Sequence, residues 1–293
     1  MRLPEIERLC AAVVPGAGSI SLEALGAGPI SATYRVARDG AAYTLKIAAE
    51  QRPDLRADLP WEVRVLKSAA SAGLAPSLVY CDFDSAVLLS RWADGRSWTP
   101  QEARVAANLE KIADLLRRVH ALAAPMPARR IAPLQWIEIY EAALSRRSSA
   151  AGDPGLRRSA LSRVQALLEL PAAAEVVCHS DLHTLNLIQQ GDSLILLDWE
   201  YAHVTDPLWD LAGWCANNDF EAEMQRSLLT RYLGGPPISS QWLRFRLLLA
   251  LYDYVCLLWS QLYLAVRGAE EIAVAERARL LDARQRLPAH YAA

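Results

Sequence analysis

One stretch of this chain sets a carboxylate, an amide and a second carboxylate at fixed spacing. It reads His179-Ser-Asp181-Leu-His183-Thr-Leu-Asn186, and later Leu197-Asp198-Trp-Glu200. Asn186 follows Asp181 by five residues, and Asp198 ends the apolar run Ser193-Leu-Ile-Leu-Leu. This order suits phosphoryl transfer from a nucleotide. One carboxylate orients or takes the proton of the attacking group, while an amide and a strand-terminal carboxylate hold Mg²⁺ on the phosphates. Asp181 is therefore expected to be the base, and Asn186 and Asp198 the metal ligands. The plainer alternative is that His179, Asp181 and Asn186 are turn formers in a polar loop.

Such chemistry needs three further parts, and they occur in order. Gly26-Ala-Gly28 followed by Ser31 can bring backbone N–H groups close to phosphate oxygens, although two glycines alone also suit an ordinary turn. Lys46, in Tyr43-Thr-Leu-Lys-Ile, stands on an expected strand where it would reach the α- and β-phosphates of ATP. Glu62, early in the next helix, can hold that lysine; Glu50 is nearer but lies in an expected loop. His183 could line an acceptor pocket or pack the loop, and Glu200 could reach the metal through water or touch the acceptor. His120 falls at helical spacing on an apolar face and reads as a core histidine. Asp210, in Asp206-Pro-Leu-Trp-Asp210, would be buried, and a buried carboxylate needs donors. The N–H groups of the loop that begins at His179 could supply them.

Around these residues the chain divides into a strand-rich first third and a helical remainder. Strands are expected at 19–25, 33–37, 42–47, 78–81 and 86–91, with Asp39-Gly40 as a hairpin turn. A helix at 60–72 stops at Gly73. Composition changes near Ala93-Asp-Gly95. Thr99-Pro-Gln-Glu102 is a capping box that should open a helix running to about residue 122. More helices are expected at 133–149, 155–169, 220–233, 240–267 and 269–285. The one strand pair of this half, 175–178 and 194–197, flanks the signature. The expectation is an α+β, bilobal, protein-kinase-like fold. Residues 1–92 would form a small antiparallel nucleotide-binding lobe with one helix, and 93–293 a larger helical lobe for catalysis and the acceptor.

Bulk properties narrow the partners. The 293 residues are 53% hydrophobic and 22% charged, with a net charge of −2. That composition is globular, and without a basic block nucleic acid is not an expected partner. Five scattered cysteines with no Cys-x-x-Cys pair argue against a disulfide framework or zinc site and for a reducing compartment. The first residues lack the apolar run of a signal peptide, so the cytoplasm is the expected location. Residues 247–266 reach the length of a membrane span, but Asp253, Ser260 and Gln261 interrupt them. A buried helix is the expected reading, with no membrane partner. Nothing here bears on the oligomeric state.

These segments resemble the aminoglycoside phosphotransferase and choline/ethanolamine kinase superfamily, from about Ser19 onward. The resemblance rests on the His179–Asn186 motif, Leu197-Asp-Trp-Glu-Tyr201 and Asp206-Pro-Leu-Trp-Asp-Leu-Ala212. It implies an ATP-dependent, Mg²⁺-requiring kinase of small alcohols. Asp-Trp-Glu-Tyr-Ala is similar to bacterial choline and thiamine kinases. Ala216-Asn-Asn-Asp219-Phe and Cys256-Leu-Leu-Trp259-Ser-Gln261 are similar to choline/ethanolamine kinase-like proteins. The resemblance implies that an aromatic at Trp259 helps enclose a quaternary ammonium. A cation over an aromatic face gains about 0.5–2 kcal/mol, and Trp214, Tyr252, Trp259 and Tyr263 are available. Their alternative is ordinary core. Two positions depart from choline kinases: Asn217 stands where an acidic residue is common, and His183 where several have Gln. The expected acceptor is choline or ethanolamine, bound by Glu200, His183, Trp214, Asn217, Tyr252 and Trp259, with His179 and Asp210 in support. Thiamine, a sugar or an aminoglycoside is the alternative, and a non-catalytic nucleotide-binding regulator a further one.

Overall fold

The computed structural model describes residues 3–27, 31–48, 58–147 and 153–267. Its elements, in chain order, begin with α1 (Leu3–Val13), β1 (Ile20–Ala27), β2 (Ser31–Arg38), β3 (Ala41–Ala48), α2 (Leu59–Ser71), β4 (Leu78–Asp82), β5 (Val87–Arg91) and β6 (Arg96–Ser97). There follow α3 (Pro100–Ala103), α4 (Ala106–His120), α5 (Pro133–Arg146), α6 (Pro154–Leu168), β7 (Val176–Cys178) and a 3-10 turn at Thr184–Asn186. The chain continues with β8 (Leu187–Gln190), β9 (Ser193–Leu196), β10 (His203–Thr205), α7 (Leu208–Asn217), α8 (Ala222–Leu233) and α9 (Ser239–Arg267). Two compact units result: residues 1–97 with 187–200, and residues 98–186 with 201–293.

The first unit is built on a five-stranded antiparallel sheet of order β1-β2-β3-β5-β4. Asp39 (φ 50°) and Gly40 (φ 77°) turn the β2–β3 hairpin, both in the left-handed region that a two-residue turn requires. Alternation then sends Tyr43, Leu45 and Ile47 to one side of β3 and Lys46 to the other. On the first side they join Val36, Val87 and Leu89 against Ile6, Cys10 and Val14. Helix α1, absent from the sequence-based expectation, thus closes one face of the sheet. Leu59 and Val63 of α2 pack with Ala86 and Leu88 in a second cluster. Asp58 caps α2 by accepting the Trp61 N–H at 2.9 Å. That cap places Glu62 in the first turn, where the helix dipole favours a negative charge. A second sheet, β6-β8-β9, joins this unit through the Leu196 N–H to Leu74 carbonyl bond of 2.8 Å. Gly95 (φ 134°) is required beside it: a Cβ there would lie 2.3 Å from the Gln189 carbonyl oxygen.

In the second unit α9 packs against α5, α6 and α7, and Leu248, Leu251, Leu258 and Leu262 are fully buried. Its apolar window is 72% buried within the protein, the mark of a core helix. The capping box forms at Thr99 and Glu102, but the helix expected to run from it to about residue 122 is broken at Arg104–Val105. There Asn108 Nδ2 donates to the Glu102 carbonyl at 2.8 Å, an acceptor that an unbroken helix would give to the Ala106 N–H. The two strands expected as a pair do not pair with each other. β7 pairs with β10, and β9 with β8. β8 and β10 have four and three residues, too short for alternation to reveal. The helix expected at 269–285 lies outside the described residues.

His203 sits opposite Cys178 in the β7–β10 pair, fully buried. Its Nδ1 lies 2.9 Å from the Tyr201 carbonyl, and Trp136 Nε1–H donates to its Nε2 at 3.4 Å. The neutral ring with the proton on Nδ1 satisfies both contacts. Burial holds its pKa down at about 4, against 6.5 for a free imidazole. Between those values the unfolded chain binds a proton that the folded one does not, so stability is full above pH 6.5 and falls as pH drops towards 4. The loss should reach on the order of 3 kcal/mol. Urea melts at pH 7 and pH 5 should show about 2 kcal/mol of it in the wild type and a smaller pH dependence in His203→Phe. Equal pH dependence in both proteins would assign it elsewhere.

Candidate active site

In the first unit Lys46 is the centre of a carboxylate cluster. β3 pairs Lys46 with Thr33 on one side and Leu88 on the other, which fixes where the side chain leaves the sheet. Its ammonium donates to Glu62 Oε1 at 3.2 Å, Asp198 Oδ1 at 2.6 Å and Glu200 Oε2 at 2.7 Å. Those three bonds match the three donors of an ammonium group. Burial works to lower the Lys46 pKa, but the charges of Asp198, Glu200 and Glu62 outweigh it and raise it well above the ordinary value. Asp198 follows β9 in a left-handed conformation (φ 60°), which turns its carboxylate out of the strand direction. Glu200 is buried, and desolvation, with repulsion from Asp198 and Glu62, pushes it up to about 8 despite Lys46.

Three carboxylates face one ammonium, leaving two negative charges in excess only once Glu200 also ionises, a state that a bound cation would favour. That surplus, carried on hard oxygen donors, fits a divalent cation such as Mg²⁺. Asp198 and Glu200 are the carboxylates of this cluster that could serve it. Gly26 and Ser31 lie on β1 and β2, whereas Gly28 lies outside the described residues.

The second unit holds the other half of the signature. His179, fully buried, leads out of β7 into Ser180, which has a φ of 69°. A left-handed backbone is strained for a residue other than glycine. Asp210, in the first turn of α7, secures it: Oδ1 accepts the Ser180 N–H at 2.7 Å, and Oδ2 the His179 N–H at 2.9 Å. His179 Nδ1 accepts the Asp181 N–H at 3.3 Å. Asn186 Nδ2 reaches the Asp181 carbonyl and its Oδ2, each at 3.0 Å. Both amide protons are thus spent on Asp181, and the amide oxygen is the atom Asn186 can offer a cation. His183 Nε2 stands 3.6 Å from Asp181 Oδ2. Burial pushes Asp181 up, but the hydrogen bond and charge of His183, with His179 and Asn186, hold it below the usual carboxylate range. It is therefore ionised at neutral pH and able to accept a hydroxyl proton.

Around this loop stand aromatic and amide groups. Asn217 Nδ2 donates to the Leu182 carbonyl at 2.9 Å and to the Tyr252 hydroxyl at 3.2 Å. The Tyr252 ring crosses the backbone at Gly213, where a Cβ would lie 2.9 Å from it, and meets Trp209 edge-on at 5.2 Å. Burial, and then neighbours that include the Asp181 charge, raise the Tyr252 phenol well above 10. Trp259 is half-buried, stacked on Tyr263 at 5.3 Å and 9°, and donates its indole N–H to the Tyr201 hydroxyl at 2.9 Å. Trp214 is fully buried, with Trp98 edge-on at 6.2 Å. Tyr201 and His120 are site residues that the sequence-based expectation does not include. Tyr201 lies in the quoted Asp-Trp-Glu-Tyr segment, and that adjacency was the signal for it. His120 Nε2 bonds Asp210 Oδ2 at 3.0 Å, a partner no local pattern reveals.

A family model described as the phosphotransferase enzyme family matches residues 21–248. The protein LicA of Haemophilus influenzae is 38% identical over 55 residues, which cover 19% of this chain and 21% of that protein. The matched stretch thus spans about a fifth of that relative's length. A choline/ethanolamine kinase family protein from Mesorhizobium loti superposes with a TM-score of 0.76 at 23% identity, over 100% of this chain and 98% of its own. LicA from Streptococcus pneumoniae, a choline kinase, superposes with a TM-score of 0.79 at 21% identity, over 98% of each chain. The fold is accordingly α+β and protein-kinase-like, with an antiparallel sheet in its N-terminal part and a mainly helical C-terminal part.

Proposed function

We propose that this chain, which belongs to the phosphotransferase enzyme family, transfers the γ-phosphate of ATP to the hydroxyl of choline or ethanolamine. The observation that carries the transfer is the Lys46 cluster. Glu62, Asp198 and Glu200 converge on one ammonium, a hard-oxygen, anionic setting suited to a nucleotide with its metal. Lys46, held by Glu62, contacts the phosphates, with Gly26 at the end of β1 and Ser31 at the start of β2 beside them. By the sequence motif they complete, Asp198 and Asn186 are the residues that would hold Mg²⁺. When bound, Mg²⁺ neutralises the phosphate charge that otherwise repels the attacking oxygen. Asp181 orients the acceptor hydroxyl and takes its proton, and the strained loop held by Asp210 fixes its aim. Positioning and charge supply most of the rate in such a transfer.

The acceptor reading rests on the Trp259–Tyr263 stack with Tyr201, on Tyr252 and Asn217 beside the loop of Asp181, and on the choline kinase fold relatives. Electron-rich ring faces suit a compact cation better than a neutral sugar. His183 and Glu200 would contact the acceptor, and Trp214 would support the wall from behind. One observation favours a neutral hydroxyl compound instead: Asn217 brings an amide where a carboxylate would attract the ammonium. We place the enzyme in the cytoplasm, where ATP is supplied. ADP release from MgATP with choline, ethanolamine, thiamine, N-acetylated amino sugars and kanamycin tests the choice. Selective turnover of choline or ethanolamine, with KM raised roughly 2–30-fold in Trp259→Ala, is expected from the loss of about 0.5–2 kcal/mol of cation–π contact. Turnover of a sugar or antibiotic alone would discard the aromatic enclosure.

A further inference from the structure

A line of hydrogen bonds runs from α8 to Asp210 and the loop of Asp181, and its first two members, Tyr232 and His120, have no part in the mechanism above. The Tyr232 hydroxyl lies 2.8 Å from His120 Nδ1, and the rings meet edge-on at 5.5 Å. His120 Nε2 lies 3.0 Å from Asp210 Oδ2, the oxygen that also accepts the His179 N–H. Burial pushes Asp210 up, but the hydrogen bond and charge of His120, then His179 and the Ser180 N–H, hold it below the usual carboxylate range. It is therefore ionised and can only accept. That places the proton on His120 Nε2. With the ring neutral, Nδ1 presents a lone pair and Tyr232 donates to it. One directional chain results: Tyr232 O–H to His120, His120 N–H to Asp210, and Asp210 to the two amides that precede Asp181.

His120, Cys178 and Asp210 also present ligand atoms within 4.8 Å of one another. Both oxygens of Asp210 nevertheless face the loop N–H dipoles, whose positive ends would repel a cation there. A proton-ordered chain accounts for the same atoms without that conflict.

We propose that His120 and Tyr232 are positioning residues for Asp181: they fix the carboxylate of Asp210, which holds the strained Ser180 backbone and so sets the direction of the base. The strain at Ser180 makes this effect specific. A left-handed serine relaxes unless its N–H is held, and relaxation swings the next residue, Asp181. Three helices supply one member each, α8, α4 and α7, so the aim of the base depends on how they pack.

The inference rests on Asp181 being the base, so its test includes a readout that needs no acceptor. Amide hydrogen exchange of the peptide covering 177–186 should accelerate roughly 2–10-fold in Tyr232→Phe, the range carried by one lost hydrogen bond. His120→Phe should do the same or more, and Tyr232→Phe should add nothing to it in the double variant. With MgATP and an acceptor that the wild type turns over, kcat should fall by a similar factor while KM for MgATP stays within about twofold. Loop exchange equal to the wild type, or raised no more than in peptides of α5, would overturn the proposal, as would an unchanged kcat in Tyr232→Phe. Should His120→Phe not fold, Tyr232→Phe decides alone. Silence of the wild type on every acceptor would sink the acceptor reading and leave the exchange result to judge this one.

Discussion

Asp181→Asn should lower kcat by about 10²–10⁴-fold, the usual worth of a positioned acid or base, and leave KM for MgATP nearly unchanged. The substitution keeps the size and most contacts of the side chain: Asn186 already donates to the Asp181 carbonyl as well as to Oδ2. The loop itself hangs on backbone bonds to Asp210, which the change does not touch. What it removes is the negative charge that His183, His179 and Asn186 keep in place. An amide cannot take the hydroxyl proton. Steady-state rates with the acceptor that the wild type turns over, and thermal melts beside them, separate lost chemistry from lost folding. A fully active Asp181→Asn would mean that the proton leaves by another route.

The second large effect is expected at Asp198. Asp198→Ala should cost on the order of 10³-fold in kcat and move the Mg²⁺ concentration for half-maximal rate upward. Lys46 keeps Glu62 and Glu200 as partners, so the fold should persist. Removing Asp198 also relieves the repulsion that helps push Glu200 up to about 8. Glu200 then ionises more readily and pairs more fully with Lys46, which draws the lysine away from phosphate. A Mg²⁺ titration of the rate checks both effects, and near-normal activity at ordinary Mg²⁺ would refute the assignment of Asp198 to the metal.

Much of this was legible in the chain, and the exceptions have physical reasons. Asp39-Gly40 predicts a tight hairpin because few other pairs accept two left-handed residues, and the hairpin is there. Thr99 and Glu102 announce a helix start by side-chain chemistry alone, and the capping box forms. The stop a few residues later was hidden: only the folded chain shows Asn108 taking the Glu102 carbonyl. β8 and β10 are too short to alternate, so their pairings could not be read. Helix α1 could have been found, since Ile6, Leu9, Cys10 and Val13 recur at helical spacing. At the site, residues joined by a motif were visible from spacing. His120 was not, for its partners Tyr232 and Asp210 are 112 and 90 residues away and its apolar helix face suggests core. The Lys46 cluster was half visible. Glu62 is legible as the partner of that lysine, but the approach of Asp198 and Glu200 is a contact across more than 150 residues.

The most direct measurement is the ³¹P NMR spectrum of the purified protein with MgATP and choline, and separately with ethanolamine. Transfer at the Lys46–Asp198 and Asp181 groups should replace the γ-phosphate resonance with that of a phosphomonoester in step with ADP, and the Asp181→Asn protein should leave it in place. Inorganic phosphate as the sole product, or a phosphomonoester formed equally well by Asp181→Asn, would contradict it.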